Sequence, residues 1–268
     1  MKFITSRHNA FFKQLMEVGE SAQERKDLGL TLLDGAHLIE AYRQALGQPT
    51  RLIVSETGWE TSEIKCLLAE KGAADKEVVV LTDNLFQVAS PVKTPTGIMA
   101  LISIPRPENI PLRAAQRDES FSVLLEAMQN PGNLGSILRS AAAASASHVY
   151  LSEGCADVWS PVTLRAAMGA HFLLRIYEQS DIANIAKTFN GKVVATSLKA
   201  KTSLYQTALT GPIAFVFGNE GAGLSDEVLA ATNEQIIIPM PGGTESLNAA
   251  SAAAVCFFER VRQMKANS

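Results

Sequence analysis

Short apolar runs alternate with amphipathic stretches along the first hundred residues. Runs rich in Leu, Ile and Val predict strands, and the stretches between them carry apolar positions at helical spacing. The predicted strands are residues 30–33, 51–54, 77–81 and 98–104. The predicted helices are residues 1–27, the stretch after Gly35 up to Leu46, residues 60–71 and residues 82–89. This alternation indicates an α/β domain that ends near Ile104.

The same alternation returns in the second half, where the strands are apolar almost throughout. The predicted strands are residues 121–125, 148–151, 172–177, 192–197, 213–217 and 234–238. The predicted helices are residues 133–144, 161–169 and 181–189, a short helix from Ser225, and a closing helix from about Glu245 to Met264. Continuous apolar strands with helical crossovers indicate a buried, mostly parallel sheet.

Prolines and arginines mark the connection between the two halves. Pro105, Pro107 and Pro111 lie within or beside a polar segment that also carries three arginines. This composition is typical of an extended linker. We therefore divide the chain into a first α/β domain at residues 1–105, a linker at residues 106–118 and a second domain at residues 119–268.

The charge balance does not by itself indicate a nucleic-acid partner. The formal net charge is −3. Residues 1–105 carry 11 basic against 13 acidic side chains, and residues 119–268 carry 10 against 12. Because neither half is strongly basic, a nucleic-acid partner requires a local basic patch.

Cysteine spacing and hydropathy set further limits. Cys66, Cys155 and Cys256 stand far apart, which argues against a disulfide framework and against a zinc site, so we expect no metal. The longest nearly apolar run, residues 249–258, is shorter than the roughly 20 residues that a membrane-spanning helix needs. The N-terminus shows no basic-then-apolar leader. These features predict a cytoplasmic protein without membrane contact.

Three loops leave predicted strands and enter predicted helices, and each carries residues suited to a site. The first begins NPGNLGSILR at residue 130 and places Arg139 two turns into its helix. The second is FGNEGAGLS, from residue 217, whose glycines let the backbone approach a ligand closely. The third is PMPGGTESLN, from residue 239, which places Ser246 and Asn248 at a helix start. Side-chain oxygens cap free amides at such positions.

Each loop alone also has an ordinary structural interpretation. Arg139 suits a solvated or ion-paired surface position, and Asn133 suits a helix cap. The second loop suits a plain glycine-rich turn. Its glycine spacing, G-x-x-G-x-G, is not that of a dinucleotide-binding fingerprint, and it lacks the Gly-Lys-Ser/Thr of a P-loop. Glu220 within it would also repel a phosphate.

Together and in this order, the three loops resemble the motifs of the SpoU (TrmH-like) branch of the SPOUT RNA ribose methyltransferases. The matching segments are NPGNLGSILRSA, FVFGNEGAGLS and IIIPMPGGTESLNAASAAAVCFFERVRQ. The resemblance covers about residues 119–268. Residues 1–105 resemble, more loosely, the ribosomal-protein-like α/β substrate-binding domain that often precedes it. The resemblance implies a SPOUT-type α/β trefoil knot, a homodimer, and S-adenosylmethionine as the cofactor.

The resemblance also implies roles for individual residues. The implied catalytic group is Arg139, Asn133, Glu220, Ser246 and Asn248, with Arg139 near the ribose 2′-hydroxyl that receives the methyl group. Arginine stays protonated, so stabilising a developing alkoxide is physically easier for it than acting as a base. The implied cofactor contacts are Gly218, Ile238, Leu247, Thr196, Ser197, Leu198 and Met240.

The implied substrate is RNA, since DNA lacks the 2′-hydroxyl. The separate first domain favours ribosomal RNA over transfer RNA. Arg7, Lys13 and Arg165 are candidate RNA-binding residues, although Arg7 and Lys13 equally suit a solvated helix face. Two other functions stay open, namely a nucleotide-binding enzyme such as a dehydrogenase and an inactive RNA-binding module. The absent fingerprint counts against the first, and the retained Arg139 and Glu220 count against the second.

Overall fold

The computed structural model describes residues 2–69, 78–112 and 121–266. Its strands are β1 (Lys2–Ile4), β2 (Leu30–Asp34), β3 (Arg51–Ser55), β4 (Val78–Leu81), β5 (Ile98–Ser103), β6 (Phe121–Leu125), β7 (His148–Leu151), β8 (Arg175–Tyr177), β9 (Lys192–Thr196), β10 (Thr202–Ser203), β11 (Ile213–Phe217) and β12 (Glu234–Ile237). Its helices are α1 (Ala10–Glu20), α2 (Ala22–Leu28), α3 (Ala36–Leu46), α4 (Glu56–Trp59), α5 (Ser62–Ala69), α6 (Asp83–Ala89), α7 (Pro131–Ala143), α8 (Pro161–Ala167), α9 (Ile182–Thr188), α10 (Asp226–Ala231) and α11 (Ala249–Ala266). The predicted α/β class is confirmed.

One compact unit comprises residues 1–106 and 157–172. Its five-stranded sheet has the order β1-β4-β3-β5-β2. Strands β1, β4 and β3 are parallel, whereas β5 runs antiparallel to β3 and β2. The helices α1 and α6 contribute to the core of this sheet through Phe12, Leu15 and Phe86, all of which are buried.

The first strand, β1, lies where the sequence pattern predicts helix across residues 1–27. Lys2–Ile4 pair with Val79–Leu81 in parallel register. Three residues are too few for a recognisable alternation, so the pairing with β4 decides their conformation. The helix α1 begins only after Asn9, whose side chain accepts hydrogen bonds from the first turn.

Residues 157–172 pack in this first unit, whereas the sequence division places them in the second domain. Arg25 Nε donates a 2.8 Å hydrogen bond to Asp157 Oδ2, and Thr31 Oγ1 donates a 2.6 Å bond to the carbonyl of Trp159. Arg25 and Thr31 are both buried, so these bonds satisfy polar groups in the interior. The division of the chain into functional domains stays a prediction.

The second unit comprises residues 107–156 and 173–268. Its strands have the order β10-β12-β9-β11-β6-β7-β8, and each neighbouring pair is parallel. Strands β6 and β11 are buried at every position, which explains why all their residues except Ser122 are apolar. Because the strands are parallel, the carboxyl ends of β6, β11, β9 and β12 lie at one edge of the sheet. Loops that leave these four strands are therefore neighbours.

Several predicted boundaries differ from those of the structure. The closing helix begins at Ala249 rather than near Glu245, and the eighth strand begins at Arg175 because Phe172 belongs to a 3-10 turn. Glu77 of the predicted third strand and Arg113 of the linker lie outside the described residues.

Within residues 2–69, 78–112 and 121–266, no helix is long and apolar enough to cross a membrane. The same residues contain no group of three or more His, Cys, Asp and Glu side chains that could hold a metal ion.

Candidate active site

The loop after β6 leads into α7 through a capped turn. Asn130 Oδ1 accepts hydrogen bonds from the backbone N–H groups of Gly132, at 2.9 Å, and Asn133, at 3.0 Å. Pro131 occupies the first helical position, where a missing N–H group does no harm. Asn133 was one candidate for the cap of this helix, but the cap is Asn130. The side chain of Asn133 is thereby available for other contacts.

Glu220 connects the loop after β11 to the loop after β6. Its Oε1 accepts hydrogen bonds from the backbone N–H of Asn130, at 3.1 Å, and from Asn133 Nδ2, at 3.0 Å. Its Oε2 accepts a 3.3 Å bond from the backbone N–H of Gln129. Burial alone would raise the pKa of Glu220, but these hydrogen bonds outweigh it and hold the pKa below its usual value. Glu220 is therefore a carboxylate that joins two loops.

Asn248 brings the third loop to the same place. Its Nδ2 donates a 2.8 Å hydrogen bond to Asn133 Oδ1. Its own Oδ1 accepts bonds from the backbone N–H groups of Ala250, at 2.9 Å, and Ser251, at 3.3 Å, at the start of α11. Asn133 thus donates to Glu220 with its nitrogen and accepts from Asn248 with its oxygen. These partners determine the orientation of its amide.

Further contacts, which the sequence analysis does not predict, hold the glycine-rich loop. Glu126 Oε2 accepts a 2.8 Å bond from Ser225 N, and its Oε1 accepts a 2.6 Å bond from Ser225 Oγ. Asn219 Nδ2 donates a 2.9 Å bond to the carbonyl of Ala127. An asparagine that opens a glycine-rich turn is a signal that could have identified Asn219. Glu126 carries no comparable signal.

Gly218 is required by the shape of this loop. A Cβ atom at Gly218 would lie 2.3 Å from the backbone carbonyl of Gly223. The two ends of the loop come together there because Asn219 and Gly223 exchange backbone hydrogen bonds of 3.0 and 2.9 Å. No side chain larger than hydrogen fits without moving the backbone.

Two of the predicted catalytic residues stand apart from this network. Arg139 lies on α7 with an exposed side chain, and it has no hydrogen-bond or ion-pair partner among the described residues. Glu220 therefore binds Asn133 and the backbone rather than Arg139. Ser246 is exposed in the segment before α11 and likewise has no hydrogen-bond partner in the described part of the chain. The structure thus joins Asn133, Glu220 and Asn248 directly and leaves Arg139 and Ser246 open to solvent.

The predicted cofactor contacts lie at the carboxyl ends of three neighbouring strands. Gly218 follows β11, Thr196 ends β9, and Ile238 follows β12. The remaining contacts, Ser197, Leu198, Met240 and Leu247, lie in the loops that continue from these strands. Leu198 is 64% exposed and Leu247 is 38% exposed, whereas large apolar side chains are normally buried. Exposed apolar side chains beside polar backbone at strand ends suit an amphiphilic cofactor with an aromatic base.

The three predicted RNA-binding residues all lie in the first unit. Arg7 is exposed in the turn between β1 and α1, and Lys13 is exposed on α1. The Arg165 side chain is 56% exposed, with Nη1 3.9 Å from Oδ1 of Asp34. Burial raises the pKa of Asp34, against the opposing effects of a hydrogen bond from Ser90 and the charge of Arg165.

The fold and the loops define a class of protein. A parallel α/β sheet whose strand ends carry hydrogen-bonded loops places its ligand site at that edge. The SpoU rRNA Methylase family matches residues 120–258, which include all three loops. The chain belongs to this family.

Curated proteins and solved structures of the same kind match almost the whole chain. An uncharacterized tRNA/rRNA methyltransferase of Synechocystis is 33% identical, over 99% of this chain and 95% of its own length. The 23S rRNA (guanosine(2553)-2′-O)-methyltransferase of Bacillus subtilis is 28% identical, over 96% and 98% respectively. The SpoU methyltransferase AviRb of Streptomyces viridochromogenes, solved with AdoMet, has a TM-score of 0.82 at 26% identity, covering 96% of this chain and 100% of AviRb.

Proposed function

We propose that this chain is an S-adenosylmethionine-dependent methyltransferase that modifies a ribose 2′-hydroxyl of ribosomal RNA. The observation that carries the proposal is the hydrogen-bonded series Glu220–Asn133–Asn248, which joins the three family loops at one sheet edge. The related enzyme of Bacillus subtilis, named for 2′-O-methylation of 23S rRNA, supports the reaction and the class of RNA. Transfer RNA is the alternative substrate.

The cofactor would bind across the ends of β11, β9 and β12. Gly218, Thr196, Ser197 and Ile238 would present backbone groups, and Leu198, Met240 and Leu247 would supply apolar contact. S-adenosylmethionine supplies an electrophilic methyl group on a sulfonium centre. Because Gly218 has no Cβ, the Gly223 backbone can pack against it and fix the shape of the loop at the point where β11 ends.

Arg139 would stabilise the negative charge that develops on the ribose oxygen. It is exposed and has no ion-pair partner among the described residues, so its charge is available to a substrate. Arginine remains protonated at neutral pH, which suits electrostatic stabilisation rather than proton abstraction. Ser246, also exposed, would orient the ribose by hydrogen bonding.

Glu220, Asn133 and Asn248 would act by positioning the loops. A carboxylate whose pKa is lowered is a weak proton acceptor, so Glu220 is poorly suited to be the general base. Both polar atoms of the Asn133 amide already have protein partners. The network would therefore hold the first and third loops at a set distance, as in-line methyl transfer requires.

The first unit would bind the RNA outside the reacting nucleotide. Arg7, Lys13 and Arg165 are exposed cations in this unit, and such side chains contact phosphates and position a nucleic acid. We further propose a trefoil knot in the second unit, a homodimer and a cytoplasmic location. Membership of the SpoU family supports the knot and the dimer, and ribosomal RNA as substrate supports the location.

Two measurements test the proposed function. Calorimetry should detect S-adenosylmethionine binding by the purified chain, and labelled methyl groups should appear on ribose 2′-oxygens of ribosomal RNA. Cofactor binding without transfer to any RNA would indicate an inactive module. Transfer to transfer RNA alone would move the substrate assignment to the alternative. Absence of both binding and transfer would contradict the proposal.

A further inference from the structure

The first unit contains a cavity of about 210 Å³ at the carboxyl ends of β3 and β4. It exceeds the roughly 30 Å³ of one liquid water, yet it is smaller than the roughly 300–1,000 Å³ of typical ligand pockets. A single planar ring system suits this volume, whereas a complete nucleotide cofactor does not. Its lining includes Thr57, Thr61, Asp83, Phe86, Gln87 and Pro95.

Close backbone packing forms one side of the cavity. A Cβ atom at Gly58 would lie 2.4 Å from the carbonyl oxygen of Gly97, so neither chain segment can carry a larger side chain there without moving. Ser55 N donates a 3.0 Å hydrogen bond to the same carbonyl, and Ser55 Oγ accepts a 2.9 Å bond from Gly58 N. The cavity is thus supported by β3 and the start of β5 rather than by a loose loop.

The polar groups of the lining offer acceptors, because several of their protons are bonded within the protein. Thr57 Oγ1 and Thr57 N bond to Asp83 Oδ1, at 2.9 and 3.0 Å. Thr61 Oγ1 donates to a backbone carbonyl at 2.9 Å, and Gln87 Nε2 donates to the carbonyl of Lys93 at 3.1 Å. The lining keeps acceptors in the Asp83 carboxylate, the Gln87 amide oxygen and hydroxyl lone pairs, and it also keeps donors in the Thr96 hydroxyl and the second Gln87 N–H. The one charged group, Asp83, accepts only, so a ligand that matches it carries N–H donors.

The ionisation of Asp83 agrees with this description. The backbone N–H of Thr57 holds the pKa of Asp83 below its usual range, against a smaller opposing effect of burial. A carboxylate in the lining disfavours a phosphate and favours a donor.

Apolar and basic neighbours complete the surroundings. Phe86, which is buried, and Pro95 give the cavity an apolar surface that suits a ring. Arg7 follows β1 as Asp83 follows β4, and these two strands are parallel neighbours. The helix α1, which carries the exposed Lys13, packs against α6, which carries Asp83 and Phe86. Two exposed cations therefore belong to elements beside the cavity wall, where they can contact phosphates.

We propose that the cavity receives one unpaired RNA base that carries an exocyclic amino group, while Arg7 and Lys13 contact flanking phosphates. The inference rests on the proposed function, because that function makes RNA the ligand. Sequence-specific RNA recognition uses splayed bases that stack on side chains and hydrogen-bond through their edges. Cytosine presents an amino group where uracil presents a carbonyl oxygen, so the Asp83 carboxylate, placed to meet that position, favours cytosine over uracil.

Binding of two matched oligomers to the full chain tests the proposal. Fluorescence anisotropy is measured without cofactor, at one salt concentration, with single-stranded oligocytidylate and oligouridylate of about ten nucleotides. We expect the cytosine oligomer to bind about tenfold more tightly. Asp83→Asn keeps an oxygen that accepts from Thr57 and adds an N–H donor. This variant should reduce the preference to about one or reverse it toward uracil. Asn84→Ala, an exposed neighbour, is the control and should keep the preference.

The outcomes separate this inference from the proposed function. Equal binding of the two oligomers, no binding of either, or an unchanged preference in Asp83→Asn would overturn the inference. If circular dichroism shows that Asp83→Asn is unfolded, Gln87→Ala, at an exposed position, replaces it. An unchanged preference for cytosine in Gln87→Ala would then overturn the inference. Methyl transfer to ribosomal RNA is assayed in parallel with the wild-type chain. Methyl transfer together with equal binding of the two oligomers would overturn only the inference that the cavity receives a base. Absence of methyl transfer would overturn the proposed function.

Discussion

Asn248 Nδ2 donates a 2.8 Å hydrogen bond to Asn133 Oδ1 across 115 positions of the chain. The same Asn133 amide donates to Glu220, so one side chain links three loops that leave three different strands. Two further hydrogen bonds tie Asn248 to the first turn of α11. The position of the closing helix is thereby coupled to the loop that precedes Arg139.

Replacing Asn133 by alanine should loosen this coupling. The change removes two hydrogen bonds, each of which contributes about 0.5–1.5 kcal/mol to stability. Because the groups are partly solvated, the contribution of each bond should lie near the low end of that range. We expect the free energy of unfolding to fall by about 1–2 kcal/mol and methyl transfer to fall about tenfold or more. Chemical denaturation and a labelled-methyl assay measure the two effects. Asn190→Ala, at an exposed position, should change neither, and a wild-type rate in Asn133→Ala would contradict a positioning role.

Glu220 predicts a dependence of stability on pH. Its pKa in the folded chain lies below the usual 4.5, so its hydrogen bonds stabilise the fold above pH 4.5. That stabilisation is lost as the pH falls through the lowered pKa. Because Glu220 is exposed, we expect a shift of the unfolding temperature of only about 1–3 °C. Scanning calorimetry should show a smaller loss between pH 7 and pH 3.5 for Glu220→Gln than for the wild type, and equal losses would count against the assignment.

Gly218 offers a test within one loop. An alanine Cβ at this position meets the Gly223 backbone at 2.3 Å, so Gly218→Ala must displace the loop. We expect cofactor binding to weaken and methyl transfer to fall about 10- to 100-fold. Gly221 is the control, because a Cβ there meets only Asn219 Oδ1, at 3.6 Å. Calorimetry with S-adenosylmethionine should detect near wild-type binding in Gly221→Ala, and equal affinities for the two variants would refute the steric explanation.

Reversing the charge of Arg7 and Lys13 together should weaken RNA binding. Phosphate contacts supply much of the affinity for RNA, so we expect a loss of about tenfold or more at moderate salt. Cofactor binding should not change, because both residues lie in the first unit, whereas the cofactor residues lie in the second. The matched control is Lys26→Glu with Lys65→Glu, which changes the net charge equally. If both double variants lost the same affinity, the effect would be one of net charge and not of a defined RNA contact.

The apolar pattern was sufficient to predict most of the strands and the parallel sheet. Strands β6 and β11 are buried on both faces, which explains their almost entirely apolar sequences. The strand Lys2–Ile4 could not be predicted in the same way, since its conformation depends on pairing with residues far along the chain. The packing of residues 157–172 with the first unit has the same cause.

The candidate site was predictable only in its parts. Turn residues identify the three loops, and their order matches a family, so Asn133, Glu220 and Asn248 are predicted together. The bonds between them were not predictable, because each joins residues about 90 or more positions apart. Glu126, which holds Ser225, was missed for the same reason. The predicted start of α11 lies a few residues too early, because the polar residues before Asn248 also suit the first turn of a helix.

The rate of methyl transfer by Arg139→Ala tests the central claim most directly. Purified wild-type and variant chains are saturated with S-adenosylmethionine, mixed with ribosomal RNA, and followed through a single turnover. We predict a rate about 10²- to 10³-fold lower for Arg139→Ala, with cofactor affinity and unfolding temperature unchanged. Lys187→Ala, which removes an exposed cation from α9, should keep the wild-type rate. A wild-type rate in Arg139→Ala would contradict the proposed role of Arg139 and, with it, the proposed mechanism.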